Sequence, residues 1–325
     1  MKILITRQVP DSIKQTLIDQ GFEISEWTEK RNLTPDELIG YAKECDGIFS
    51  VGSNRIDRKF LTECRHLKVI ALCSVGYDRV DVPAATELGI PIGNTPGVLS
   101  KTTADTAFLL MQNVARKAMH LHKEIIRGNW DFFDPMADLG FELTGKTLGI
   151  YGLGRIGFEM AKSCLRAFDM PVIYHNRSRN EQAENELGAR RVSFEELLGQ
   201  SDVLSVHANL SDETRGVFNR GAFSKMKPSA IFINTARGQL HCEDDLREAI
   251  QTGVIWGAGL DVTNPEPSAS DNPLLNMPTV AVLPHIGSAT IETRMKMMRL
   301  TVNNLLAGLR NEPLPHCVNP EVYQR

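Results

Sequence analysis

The chain contains no run of about 18 consecutive apolar residues, the length a transmembrane helix requires, so no membrane is expected to be spanned. It carries no excess of positive charge. Its 36 Lys and Arg stand against 40 Asp and Glu, a formal net charge of −4, which leaves no basic footprint for nucleic acid. No two cysteines are spaced C-x-x-C. The six at positions 45, 64, 73, 164, 242 and 317 are scattered, mostly in apolar or helical stretches, and read as buried thiols rather than disulfides or metal ligands. The first residues, Met1 to Arg7, enter a strand-like run directly, without the apolar core of a signal peptide. There is no tandem repeat and no low-complexity segment. Together these absences predict a reduced, cytoplasmic, soluble protein without a metal site, and 325 residues are enough for two domains.

What is present is organised around residues 146–157. An apolar run from Thr147 to Tyr151 has the length and residue types of a buried strand. It leads into Gly152-Leu153-Gly154-Arg155-Ile156-Gly157, and a helix-like stretch follows from Phe158 to Phe168. This G-x-G-x-x-G spacing between strand and helix is the dinucleotide-binding arrangement. Gly152 permits the tight turn, Gly154 lets a pyrophosphate approach the backbone, and Gly157 lets the helix pack close to the sheet. The helix N-terminus then offers unpaired N–H groups and the positive end of its dipole to the phosphates.

Strand-like and helix-like stretches alternate before and after this element, which predicts parallel sheets covered by helices. Between the two alternating blocks, residues 101–127 read as one long helix. Residues 129–144 form an irregular arm holding Trp130, Phe132, Phe133, Met136, Leu139 and Phe141, and such an aperiodic apolar arm predicts docking on a second subunit. The glycine fingerprint marks 101–287 as the cofactor domain. The terminal helix, near 289–309, is expected to cross back, so that 1–100 and 288–325 make a discontinuous substrate domain. A ligand is expected in the cleft between two such domains.

The residues after the second strand of the cofactor block indicate which dinucleotide is bound. An NAD site places an acid near the end of that strand to bind the ribose 2′-OH. Here the sequence is Val172-Ile173-Tyr174-His175-Asn176-Arg177-Ser178-Arg179, and the acid is missing. An arginine and a hydroxyl at this place suit a 2′-phosphate, so NADPH is expected to be preferred, with NADH possible as a lesser cofactor. Three further stretches stand at strand ends. Arg237 follows Ile231–Asn234, Asp261 and Glu266 follow Gly259-Leu260, and His285 follows Leu283-Pro284. Active residues of open α/β sheets lie outside the carboxyl ends of the strands, so an Arg, a Glu and a His are expected to converge on a nicotinamide.

With these motifs in view, the chain resembles the D-isomer-specific 2-hydroxyacid dehydrogenases over essentially its whole length. The resemblance rests on Gly152–Gly157, Asn234–Gly238, Gly259–Glu266, Pro284–Ser288 and Ser74-Val75-Gly76-Tyr77-Asp78. It is greatest to the bacterial glyoxylate/hydroxypyruvate (2-ketogluconate) reductases. It implies an α/β protein of two doubly wound parallel-sheet domains, one a Rossmann cofactor domain and the other a flavodoxin-like substrate domain. It also implies an enzyme that reduces small 2-keto acids to D-2-hydroxy acids; the homodimer expected for the chain follows instead from the aromatic arm at 129–144. On this resemblance Arg237 binds the substrate carboxylate and polarises the carbonyl. His285 is the general acid, and Glu266 hydrogen-bonds His285 and keeps it protonated. The N–H groups of Val75 and Gly76 hold the carboxylate, with Val51 and Gly52 as further substrate contacts. Asp261 holds the carboxamide of the nicotinamide, and Thr103 and Thr235 line the cofactor groove. Leu153, Arg155, Ile156, His207, Thr214, Ala236 and Gly287 are further cofactor contacts, with Asn176, Arg177 and Ser178 at the 2′ end.

Two alternatives accompany this reading: a phosphoglycerate dehydrogenase-like enzyme, and a dinucleotide-sensing binding protein on the same fold. Arg294 and Arg299 in the final helix read either as contacts to a substrate tail or as a charged helix face.

Overall fold

The computed structural model describes residues 1–324 and divides into two compact units, Met1–Val98 with Thr290 onward, and Leu99–Ala289. In the first unit the chain alternates β1 (Lys2–Ile5), α1 (Asp11–Ile18), β2 (Glu23–Glu26), α2 (Pro35–Ala42), β3 (Gly47–Ser50), α3 (Arg58–Glu63), β4 (Val69–Leu72), α4 (Val82–Glu87) and β5 (Ile92–Gly93). All five strands are parallel, in the order β2-β1-β3-β4-β5, the flavodoxin-like doubly wound order. Every residue of β3 and β4 is buried, as expected of strands covered on both faces. Helix starts are set locally. Thr34 and Glu37 form a capping box on α2, and Asp57 and Asp81 cap α3 and α4 through their side chains.

The second unit holds α5 (Ser100–Arg116), α6 (Ala118–Ile126), β6 (Leu148–Tyr151), α7 (Arg155–Phe168), β7 (Val172–His175), α8 (Glu181–Leu187), β8 (Arg190–Arg191), α9 (Phe194–Gln200), β9 (Val203–Val206), α10 (Arg220–Phe223), β10 (Ile231–Asn234), α11 (Glu243–Gln251), β11 (Gly257–Leu260) and β12 (Val280–Val282). Its seven parallel strands run β12-β11-β10-β9-β6-β7-β8. Counted from β6 this is the Rossmann order with one added strand, and strand order reverses between β6 and β9. The chain then returns to the first unit as α12 (Ile291–Leu309), which lies on β3 and β4. Gly308 permits that approach, since a Cβ there would stand 2.4 Å from the Val69 Cβ.

The single helix expected over 101–127 is two. Lys117 adopts a left-handed conformation (φ 52°) and separates α5 from α6. The break frees the carbonyl of Ala115, which accepts a hydrogen bond from Phe141 N–H (2.9 Å). Gly140 passes so close that a Cβ would lie 2.2 Å from that same oxygen. The end of the aromatic arm is thus hydrogen-bonded into the helix break. Phe141 also packs on Trp256, with ring centroids 4.4 Å apart. The rest of the arm is exposed: Trp130, Phe132, Phe133, Met136 and Leu139 are all more than half accessible, Phe133 at 83%. Among the described residues no helix is long and apolar enough to cross a membrane.

Candidate active site

The glycine turn after β6 has the shape its spacing predicts. Gly152 has φ 94°, and a Cβ there would stand 2.5 Å from Ala208 N, so the turn is pressed against the chain leaving β9. A Cβ on Gly157 would stand 2.9 Å from Gly152 O and 3.0 Å from Ile150 Cγ2, which is the close strand–helix packing. Around Gly154, in contrast, nothing lies within 4 Å of a Cβ position, so the backbone there is open to a ligand. Gly154 is the N-cap of α7. The first-turn N–H groups of Arg155, Ile156 and Gly157 have no helical acceptor and are available to an anion. These features fit a pyrophosphate.

The turn is held from the side by two asparagines. Asn176 Oδ1 accepts from Leu153 N–H (2.6 Å), and its Nδ2 donates to Leu153 O (3.1 Å). Asn180 Nδ2 donates to the same carbonyl (2.9 Å). Asn176, expected to face a 2′-phosphate, is therefore committed through both amide atoms to the glycine turn. Arg179 is ion-paired with Glu184. Arg177 and Ser178 are exposed. Beside them stands a residue that the sequence did not single out. The Arg191 guanidinium donates to Asn176 O (2.9 Å) and Arg177 O (2.7 Å) and so lies against this turn. Its strand, β8, is two residues long, too short to leave a pattern.

Past β9, His207 is partly buried. Its Nε2 lies 2.9 Å from Ser205 Oγ and its Nδ1 lies 3.5 Å from Thr235 Oγ1, and burial pushes its imidazole down to about 3. Thr214 closes its own loop: its hydroxyl donates to Asn209 O (2.8 Å) and accepts from Ser211 N–H (2.8 Å).

Arg237, Glu266 and His285 follow three adjacent strands, β10, β11 and β12. Asn234 pairs with Leu260, and Leu260 with Val282. Arg237 and His285 thus each stand three residues past aligned positions, on strands about two spacings, or about 10 Å, apart. Glu266 lies in the loop between them and reaches His285, with Nδ1 to Oε1 at 2.6 Å. The two side chains are 45% and 28% exposed, so the pair is partly screened yet open to a ligand.

Asp261 builds the segment that presents His285. Its carboxylate accepts from Ile286 N–H and Gly287 N–H, both at 2.7 Å, and its carbonyl accepts from His285 N–H (2.9 Å). These bonds hold His285 in a left-handed conformation, φ 55°, which a residue with a Cβ seldom adopts and which costs on the order of 1 kcal/mol or more. Burial pushes the Asp261 carboxyl above the ordinary carboxylate value, and the two N–H donors oppose that rise. Gly287 sits against buried Thr103, whose Cγ2 would be 3.2 Å from a Cβ. The Glu266 loop is anchored by Glu243 in the first turn of α11. Its carboxylate accepts from Asn264 N–H (3.0 Å) and from Asn272 Nδ2 (2.6 Å).

In the first unit the loop after β4 is held through its carbonyls. The carbonyls of Ser74, Val75 and Gly76 are engaged by Thr95 N–H, Asn94 Nδ2 and Ser74 Oγ respectively. The N–H groups of Val75 and Gly76 have no acceptor among the described residues. Val51 and Gly52 follow β3. Val51 is fixed by Thr6, whose hydroxyl accepts from its N–H (2.8 Å) and donates to its carbonyl (3.0 Å).

The family model for the D-isomer specific 2-hydroxyacid dehydrogenase NAD binding domain matches residues 108–287. This chain belongs to that family. It is similar to the glyoxylate reductase of Thermococcus litoralis, 40% identical over 326 residues that cover 99% of this chain and 97% of that protein. A solved structure of a Thermus thermophilus protein superposes with a TM-score of 0.91 at 40% identity, covering 98% of this chain and 100% of that one. An NADPH-dependent glyoxylate/hydroxypyruvate reductase from Sinorhizobium meliloti, solved in complex with NADP and malonate, gives a TM-score of 0.84 at 31% identity, with 98% and 97% covered. The chain is thus a 2-hydroxyacid dehydrogenase-family NAD(P)-dependent oxidoreductase, and its second unit contains the dinucleotide domain.

Proposed function

We propose that this dehydrogenase reduces small 2-keto acids such as glyoxylate and hydroxypyruvate, with 2-ketogluconate as a larger candidate, to D-2-hydroxy acids, and that it prefers NADPH. The observation that carries the reading is the 2.6 Å pair between His285 Nδ1 and Glu266 Oε1 at the carboxyl edge of the dinucleotide-binding sheet. The Nδ1–H donates to the carboxylate, which orients the ring and leaves Nε2 as the atom that exchanges a proton with substrate. The glycine turn and the N-terminus of α7 would hold the pyrophosphate of the dinucleotide, whose reduced nicotinamide would supply the hydride for C2 of the keto acid. Nε2–H of the imidazolium gives its proton to the C2 oxygen, so the product leaves as a neutral alcohol and His285 is left neutral with Nδ1–H still on Glu266. Arg237 binds the substrate carboxylate through its planar fork and withdraws charge from the adjacent carbonyl. The preference for NADPH is supported by Arg177, Ser178 and Arg191 around the turn after β7, and by the NADP-bound relative.

We further propose a homodimer, with the exposed aromatic arm at 129–144 buried against a second copy. Initial rates with NADPH and NADH against glyoxylate, hydroxypyruvate, pyruvate, 2-ketogluconate and phosphohydroxypyruvate test the functional reading. Turnover of the small keto acids with NADPH supports it. Tight NADPH binding with no turnover of any of them would replace it with a sensor, and a dominant rate on the phosphorylated acid would replace it with a phosphoglycerate dehydrogenase-like enzyme.

A further inference from the structure

Asn234 ends β10 and is fully buried, and each polar atom of its side chain is used within the turn that carries Arg237. Oδ1 accepts from Ala236 N–H (2.9 Å), and Nδ2 donates to the Arg237 carbonyl (2.9 Å) and to Nδ1 of His241 (3.0 Å). His241 follows the short 3-10 turn Gly238–Leu240 and is 2% exposed. Because its Nδ1 accepts, its proton is on Nε2, and Nε2 has no partner among the described residues. A buried imidazole with one unpaired N–H is an unfavourable choice for packing alone, since an apolar side chain would fill the space without an orphaned donor. What the imidazole adds is an acceptor at one place, facing the Asn234 amide. The turn has no slack on its other side, because a Cβ on Gly238 would stand 2.0 Å from the Thr263 carbonyl oxygen.

We propose that His241 is a positioning residue for the substrate-binding arginine. Its Nδ1 holds the Asn234 amide in the orientation that clamps Ala236 N–H and Arg237 C=O together, and so fixes where the Arg237 guanidinium stands. The proposal rests on the reading of Arg237 as the carboxylate-binding group.

The test compares His241→Asn, whose Oδ1 falls near the place of Nδ1 and keeps the acceptor, with His241→Leu, which fills the space without one. KM for glyoxylate, kcat, and NADPH affinity by fluorescence are measured on the full-length protein. His241→Leu should raise KM about 10-fold, the scale expected for a sub-ångström misplacement of a binding group. NADPH affinity should not change, and His241→Asn should remain near the wild type. Asn234→Ala removes the clamp itself and should raise KM at least as far as His241→Leu, which keeps the test decisive if the leucine variant does not fold. Equal effects of the leucine and asparagine variants on KM, or no effect of Asn234→Ala, would overturn the proposal. Arg237→Ala run alongside separates the two ideas. If it leaves KM unchanged, the role of Arg237 fails. If it raises KM while the two His241 variants match each other, only the role of His241 fails.

Discussion

Replacing Arg177 by alanine tests the cofactor assignment in isolation. The 2′-phosphate of NADPH carries close to two negative charges, whereas the 2′-OH of NADH carries none. Arg177 is exposed, so a bond from it to the phosphate would be charge-assisted but reached by water, worth about 1.5–3 kcal/mol, or roughly 10- to 150-fold in affinity. Arg191 remains beside the turn in this variant, held on the carbonyls of 176 and 177, and should retain part of the preference. The expected outcome is a fall in kcat/KM for NADPH of roughly 10-fold, at the low end of that range, with kcat/KM for NADH unchanged. Arg191→Ala should lower both values, because it also releases the backbone of the turn. Introducing an acid at Asn176 is a poorer test, since Nδ2 of that residue donates to Leu153 O and a carboxylate there would face the carbonyl. The assay is initial rate against each cofactor with one saturating keto acid. If the wild type already prefers NADH, or Arg177→Ala affects both cofactors equally, the reading of residues 175–179 is wrong.

Other outcomes follow from the same geometry. Glu266→Gln replaces the carboxylate that accepts from His285 Nδ1 at 2.6 Å and weakens the bond that orients the ring, so kcat for keto-acid reduction should fall roughly 10-fold, the scale of a misplaced catalytic group, with NADPH affinity unchanged. An unchanged kcat would show that the pair does not act in catalysis. Light scattering at micromolar concentration should give about twice the 36.1 kDa chain mass, and Phe133→Asp should shift the protein toward monomer; a monomeric wild type would contradict the role of the arm. Burial pushes His241 from 6.5 to about 4, so below pH 6.5 the unfolded chain takes up a proton that the folded chain refuses. Stability is then lost as pH falls from 6.5 to 4, by about 2 kcal/mol at pH 5 from this residue. Denaturation midpoints at pH 7 and pH 5 should therefore differ less in His241→Asn than in the wild type, and equal differences would refute the assignment.

Much of the fold was legible because its signals are local. The glycine turn lies between a strand and a helix, and short apolar runs alternate with capped helices, which is enough to read parallel sheets. The break at Lys117 was not legible. Nothing in residues 101–127 disfavours a continuous helix, and the break is stabilised by Gly140 and Phe141, more than 20 residues away in sequence. The residues at the strand ends could be named because parallel strands bring their carboxyl ends to one edge. Their supports could not. Asn176 resembles a phosphate ligand in sequence, but its amide closes on Leu153, a residue distant in the chain. Arg191 sits on a two-residue strand, and nothing local in the sequence marks His241 as buried. The local pattern fixes which side chains stand at the edge. The tertiary packing decides which of them face a ligand and which hold the others in place.

The central claim is that His285 supplies the proton in reduction of a 2-keto acid. The most direct measurement is kcat for glyoxylate with saturating NADPH in the wild type and in His285→Ala, together with NADPH affinity in both. His285→Ala should lose roughly 10²- to 10⁴-fold in kcat, the range for removing a general acid, with NADPH affinity unchanged. A variant that retains most of its activity while binding NADPH normally would contradict it.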